Sequence, residues 1–313
     1  MVSLTGTLVY GDVPSDRKQL AWVDRSGGSL ATIGEPQRQE GPTLSPDGRR
    51  LVVEITEGDP DLWVYDLDRG IKSRFTVDPA GEMLGAWTPS GDQITYASNS
   101  SGNVDIFSKP SGGNGGTSLL VGTPLAERAL DWSPDQRFLL YATASLETKS
   151  DLLYRERRKD GSFGEPAVFL RTSSAEAAAQ FSPDGHFVVY VSDESARNEV
   201  YVRDFPRGAN KWQISSNGGT APRWRRDGKE IFYVEEDRLM AASVTTRPAF
   251  SYGTPARLFE RRYFFNLYPQ YDVSADGKRF VILDKPAGEP PLSIHVVHNW
   301  FEEFRGQQRA PRQ

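Results

Sequence analysis

An all-β chain, built as a seven-bladed β-propeller of four-stranded antiparallel blades with six blades as the alternative, is what three features of the sequence predict. A short turn recurs at a blade-like period. Large apolar residues stand at fixed offsets from each turn, and apolar runs of strand length follow it with no convincing long helix.

The turn is Ser-Pro-Asp-Gly in its fullest form. It starts at Ser45 and Ser182, with variants at Thr88 (TPSG), Ser133 (SPDQ), Arg225 (RRDG), Ser274 (SADG) and Ser3 (SLTG). Successive starts lie 42, 43, 45, 49, 43 and 49 residues apart, the spacing of a four-stranded blade. Pro at the second position presets φ for a type I turn, Asp or Ser bonds back to the backbone, and Gly accepts the positive φ that follows. Gln136 stands where Gly is expected, so that hairpin should carry a left-handed residue at a cost of about 1 kcal/mol.

Leu44, Trp87, Trp132, Phe181, Trp224 and Val273 immediately precede the turns. Val53, Tyr96, Tyr141, Tyr190, Tyr233 and Ile282 follow at a second fixed offset. They read either as a ligand-stacking ladder or as packing between neighbouring blades. Positions fixed relative to every hairpin face the next blade, which favours packing. Third strands follow, as in DLWVYDL (61 to 67), DLLYRER (151 to 157) and EVYVRDF (199 to 205), with fourth strands such as KSRFTVD (72 to 78). The expectation is one propeller domain over 1–313, with blades near 1–34, 41–78, 84–121, 129–171, 178–215, 221–260 and 270–300, and a tail at 301–313. Closure is awkward in that scheme. Only Met1 and Val2 precede the first turn, and SIHVV (293 to 297) reads as a third strand without a fourth, so the chain is expected to be N-terminally truncated, with its last blade open or held by the tail.

Composition excludes several classes of function. Zero Cys removes disulfides, thiolate metal sites and cysteine nucleophiles, and a net charge of −5 argues against a nucleic-acid binder. No apolar run is long enough to insert in a membrane, and a monomer is expected. A kinase would need a Gly-rich loop, a strand Lys and catalytic-loop and metal-binding Asp motifs; a hydrolase would need G-x-S-x-G. None occurs, and GGNGG (112 to 116) reads as a hairpin tip. The three histidines form no metal or triad pattern, and GDPDLWVYDLD (58 to 68) lacks the Gly and terminal Glu of a calcium loop. No catalytic residue, metal site or cofactor is assigned.

Candidate binding residues fall in three groups. Glu82, Glu127 and Glu176 stand six residues before a turn and Glu40 five, so equal offsets in a ring would place them as an acidic rim around the channel, suited to a cation or basic peptide. Asp193, Glu194 and Arg197 lie in a loop between second and third strands. Tyr263, Phe264 and Phe265 crowd the loop ERRYFFNLYP (260 to 269), as an interface anchor or as packing beneath the closing blade. Recognition is expected on the face built by loops between second and third strands and between consecutive blades.

The turn-centred repeat resembles the TolB-like, WD-like repeats of bacterial propellers. WVDRSGG (22 to 28), FSPDGHFVVYVSDESARNEVYVRDFP (181 to 206), GGTAPRWRRDGKEIFYV (218 to 234), YDVSADGKRFVI (271 to 282) and HNWFEEF (298 to 304) resemble more narrowly the C-terminal propeller region of bacterial serine/threonine protein kinases. That resemblance implies a sensor or binding module for a protein, peptide or small ligand, usually beyond a membrane span and hence periplasmic or extracytoplasmic. It carries no activity, because the family's catalytic motifs belong to a domain missing from this chain. A propeller enzyme of lactonase or cyclase type, using channel carboxylates and a divalent metal, is the alternative.

Overall fold

The computed structural model describes residues 7–11, 16–261, 269–287, 294–298 and 300. Its strands are β1 (Thr7–Gly11), β2 (Lys18–Asp24) and β3 (Ser29–Gln37); β4 (Gln39–Leu44), β5 (Arg50–Ile55), β6 (Asp61–Asp66) and β7 (Ile71–Arg74) in blade A; and β8 (Glu82–Trp87), β9 (Gln93–Ser98), β10 (Asp105–Pro110) and β11 (Ser118–Val121) in blade B. Blade C holds β12 (Glu127–Trp132), β13 (Phe138–Ser145), β14 (Lys149–Glu156) and β15 (Ala167–Leu170). Blade D holds β16 (Glu176–Phe181), β17 (Phe187–Ser192), β18 (Glu199–Asp204) and β19 (Lys211–Gln213). Blade E holds β20 (Thr220–Trp224), β21 (Glu230–Glu235), β22 (Arg238–Thr245), β23 (Ser251–Tyr252) and β24 (Ala256–Glu260). The last strands are β25 (Tyr271–Val273), β26 (Arg279–Asp284) and β27 (Ile294–His298).

The ring has six blades, the alternative count. Blade F runs β25-β26-β2-β3, so its two inner strands come from the C-terminal part of the propeller and its two outer strands from the N-terminal part. The segments expected as separate blades at 1–34 and 270–300 therefore contribute to one sheet. Pairing β2 with β26 in full antiparallel register, from Gln19 opposite Asp284 to Asp24 opposite Arg279, covers an edge that would otherwise recruit another chain. The expected open last blade is corrected on this ground. SIHVV is not a third strand of that blade; β27 pairs antiparallel with β1 instead. The SLTG turn lies outside the described residues.

By compactness the chain divides into a propeller unit, Lys18–Asp284, and a second unit formed by Met1–Arg17 with Lys285–Gln313. Among its described residues, the second unit contains the β1-β27 pair, where Thr7 and His298 are in hydrogen-bond contact through Oγ1 and Nδ1 at 3.3 Å.

Within the propeller the two recurrent apolar columns fill the core. Tyr96, Tyr141, Tyr190 and Tyr233 are buried, as are Trp87, Trp132, Phe181 and Trp224. Single clusters span neighbouring blades; Val189 and Val200 of blade D pack with Ile231 and Tyr233 of blade E. The stacking-ladder alternative falls with that burial. The turns bond as the sequence predicts. Ser45 Oγ donates to Asp47 Oδ1 at 2.6 Å and accepts from Arg50 N at 2.9 Å, and Ser182 with Asp184 and Ser274 with Asp276 repeat the first bond. Gln136 sits at φ 59, in the left-handed region that Gly48 and Gly185 occupy in the other blades. Gln136→Gly should therefore stabilise the protein by about 0.5–1 kcal/mol, because relief of the left-handed strain exceeds the added freedom of the unfolded chain. Urea denaturation at pH 7 checks this; an unchanged or lower midpoint would contradict it.

Candidate functional site

The inner strands carry one side chain each toward the axis, two residues before the turn: Thr43, Ala86, Asp131, Gln180, Arg223 and Asp272. In blades A to E a β-bulge interrupts pairing just before that position, between Glu40 and Thr43, Met83 and Ala86, Ala129 and Asp131, Ala177 and Gln180, and Thr220 and Arg223. Gly41, Leu84, Ala178 and Ala221 take positive φ there. A bulge re-aims the next side chain, and its recurrence around the ring fixes what the axis presents.

Several of these side chains stitch one blade to the next. Asp131 Oδ2 accepts Phe181 N at 2.8 Å, Gln180 Oε1 accepts Trp224 N at 2.8 Å, and Asp272 Oδ2 accepts Leu44 N at 2.7 Å. Arg223 Nε lies 3.5 Å from Asp272 Oδ1, with both side chains largely buried. Above them is a cavity of ≈ 420 Å³ lined by all six blades. Pro46, Pro89, Pro134, Pro183 and Ala275 come from the turns, and Arg226 of blade E reaches across to donate to the carbonyl of Pro46 in blade A. The cavity thus sits at the turn end of the ring, opposite the loop face to which the sequence pointed.

The electrostatics follow from burial. Desolvation pushes Asp131 up to about 7 against the pull of the Phe181 and Trp132 amides and of Arg223. Burial also raises Asp272, outweighing Arg223 and two backbone donors. For Asp131 the folded state holds its proton more tightly than the unfolded chain. Stability from the protonated form is therefore complete below about pH 4 and is lost as pH rises through about 7. Asp131→Asn keeps an acceptor for Phe181 and removes the ionisation, so its loss of stability between pH 4 and 8 should be smaller than that of the parent by about 3 kcal/mol. Denaturant melts across that range decide it; parallel curves for the two proteins would contradict it.

The acidic residues chosen from the sequence are placed differently. Glu82, Glu127 and Glu176 are fully buried in the seams between blades, so they do not form an open rim on the channel. Each opens an inner strand and accepts hydrogen bonds from hydroxyls: Ser98 and Thr76 for Glu82, Thr123 for Glu127 and Thr172 for Glu176. Burial raises all three, Glu176 to about 7. Glu40 is half-buried and bound to Lys18 and Gln270. Asp193 pairs with Lys149 at 2.6 Å, Glu194 with Lys211 at 2.6 Å, and Arg197 with Glu199 at 2.7 Å, so this loop is tied by local ion pairs. Tyr263, Phe264 and Phe265 lie outside the described residues. Asp131, Gln180, Arg223 and Asp272 were missed, although with Thr43 they put a polar residue at one fixed offset before the turn in five repeats, which is a readable signal.

Comparison with known proteins agrees with this geometry at the level of fold. The putative TolB of Agrobacterium tumefaciens superposes with TM-score 0.69 at 17% identity, over 86% of this chain and 98% of that one. The fold is TolB-like. TolB of Acinetobacter baumannii follows at 0.57 and 15% identity, over 79% of this chain and 68% of that one. An oligogalacturonate lyase in complex with manganese also reaches 0.57 at 14% identity, over 96% and 84% of the two chains. In sequence, the Tol-Pal system protein TolB of Helicobacter pylori is 22% identical over 200 residues, which are 62% of this chain and 36% of that protein. The match thus spans about a third of that curated relative. No family model matches the chain.

Proposed function

We propose that this TolB-like propeller is a non-catalytic binding module that takes a protein segment, peptide or small ligand at the turn-end cavity. The observation that carries this reading is a concave site of ≈ 420 Å³ to which every blade contributes, with Asp131, Asp272, Gln180 and Arg226 grouped among prolines and indoles and Arg223 beside Asp272. Polar groups converging in a concavity that also offers apolar surface are an ordinary form of recognition site on a rigid scaffold. The TolB likeness favours a protein partner, since that relative is named as a protein of the Tol-Pal system. The segments resembling kinase-linked propellers support a finer reading, in which the module is the extracytoplasmic sensor of a kinase-like receptor.

A random peptide array probed with the full chain tests the site. Peptides bound by the parent should be lost with Arg226→Glu and with Ala275→Trp, which narrows the mouth from an exposed turn position. Binding that survives both substitutions would put recognition elsewhere. A second reading, a propeller enzyme using Asp131 and Asp272 with a divalent metal, is favoured by the likeness to the manganese-bound lyase. Stoichiometric manganese binding that disappears in Asp131→Asn would support it over the binding module.

A further inference from the structure

The seam between blades B and C places two carboxyl groups against each other. Asp105 opens β10 and Glu127 opens β12, where Glu127 N donates to Val104 O at 2.8 Å. Asp105 is 5% exposed and Glu127 0%. One oxygen of each is accounted for by a hydroxyl, Ser101 donating to Asp105 Oδ2 and Thr123 to Glu127 Oε1. The remaining atoms, Asp105 Oδ1 and Glu127 Oε2, are buried without a hydrogen-bond partner, and Asp105 lies close enough to Glu127 for its charge to bear on it. Two buried carboxylates so placed repel each other, and a proton on Glu127 relieves that repulsion.

We propose that blades B and C are joined by a proton on Glu127 that faces the buried Asp105, and that loss of this proton on raising the pH loosens the seam. The other seams show what makes this one different. Between A and B, Asp61 opposes Glu82 but is paired with Arg74 at 2.7 Å; between C and D, Asp151 opposes Glu176 but is paired with Arg171 at 2.7 Å. Between D and E a single carboxylate suffices. Glu199 is satisfied by Arg197, Gly218 N and Ser215, and the position facing it is Gly219, whose Cβ would lie 2.6 Å from Ser215 Oγ. At the B–C seam the residue before Thr123 is Gly122, whereas Arg171 precedes Thr172. Among the described residues, the groups facing Glu127 are Asp105 from β10 and the buried Tyr141 from β13, which itself faces Arg155 of β14. Among the described residues, the arginine that pairs the aspartate at the flanking seams has no counterpart beside Asp105.

Burial first, then the charge of Asp105, holds Glu127 above the usual carboxylate range, so folded Glu127 keeps a proton that the unfolded chain releases at lower pH. Seam stability is therefore greatest on the acidic side and declines as pH rises through the titration of Glu127.

Amide hydrogen exchange on the full chain, corrected for the intrinsic pH dependence of exchange, reads the seam through peptides covering 103–107 and 123–129. In the parent, protection of these segments should fall by roughly tenfold or more between pH 5.5 and 8.5, while that of the D–E seam around Glu199 stays level. Glu127→Gln supplies an amide donor to Asp105 and should abolish the fall. Gly122→Arg should import the cation and do the same; its Cβ would crowd the end of the flexible Leu119 side chain at 3.3 Å, which must give way slightly, and would stand 3.4 Å from Asp105 Oδ2. If Glu127→Gln does not fold, Asp105→Asn makes the same neutralisation. A fall of equal size in the neutralised variant would overturn the proposal. So would recovery of protection at pH 8.5 on adding millimolar calcium or magnesium, which would mean that the pair binds a cation.

Discussion

A chain starting at Arg38 should fail to form the ring, giving a broad, non-cooperative thermal transition and self-association on size-exclusion chromatography. The deletion removes β2 and β3, half of blade F. Leu20 and Val23 are fully buried and Ile33 nearly so, in clusters shared with blades A, E and F. Burial of such side chains contributes about 1.5–3 kcal/mol each, so these three alone approach the whole stability of a typical domain, about 5–15 kcal/mol. The loss does not end there. Strand β26 would be left with an unpaired edge from Arg279 to Asp284, among them Phe280, Val281, Ile282 and Leu283 that the intact blade buries. An exposed apolar edge pairs with whatever strand it meets. A truncated chain that melted cooperatively within a few degrees of the parent would show that the ring closes without these strands.

The same strands show where sequence reading succeeded and where it stopped. Turn chemistry is local, so Ser182-Pro183-Asp184-Gly185 and its relatives announce each inner hairpin, and the Tyr96, Tyr141, Tyr190 and Tyr233 column follows from their geometry. Blade count is not local. KQLAWVD looks like any outer strand, and nothing in its residues says that its partner lies some 260 positions later at β26. The offset of Glu82, Glu127 and Glu176 was legible as well, but not the direction of their side chains. A bulge stands between each of them and the turn, so alternation counted back from the turn gives the wrong face. For the same reason the axial column of Asp131, Gln180, Arg223 and Asp272 did not stand out as a group. Carboxyl pairs such as Asp105 with Glu127 join residues of neighbouring blades, and only the packing of one blade on the next brings them together.

Asp272→Ala should cost about 3–5 kcal/mol, an effect second only to the loss of the closing strands, and it should be partly reversed by a second substitution at Arg223. Asp272 performs three tasks at the axis. It accepts Leu44 N at 2.7 Å, which couples blade F to blade A; it accepts Val273 N at 2.8 Å; and it stands 3.5 Å from the Arg223 guanidinium of blade E. Truncation leaves the Leu44 amide without its acceptor and a largely buried cation without its counter-ion, and each loss is costly. Arg223→Met removes the stranded charge while keeping a long apolar side chain, so the double variant should recover roughly half the loss in chemical denaturation. Asp272→Asn separates the remaining contributions. It retains an acceptor and loses the charge, so it should fall between the parent and Asp272→Ala. If Arg223→Met gave no relief, the ion pair would be ruled out as a significant part of the coupling, and the hydrogen bond from Leu44 would carry it. If Asp272→Ala itself melted like the parent, the axial stitches would be decoration on a ring held by its apolar seams alone.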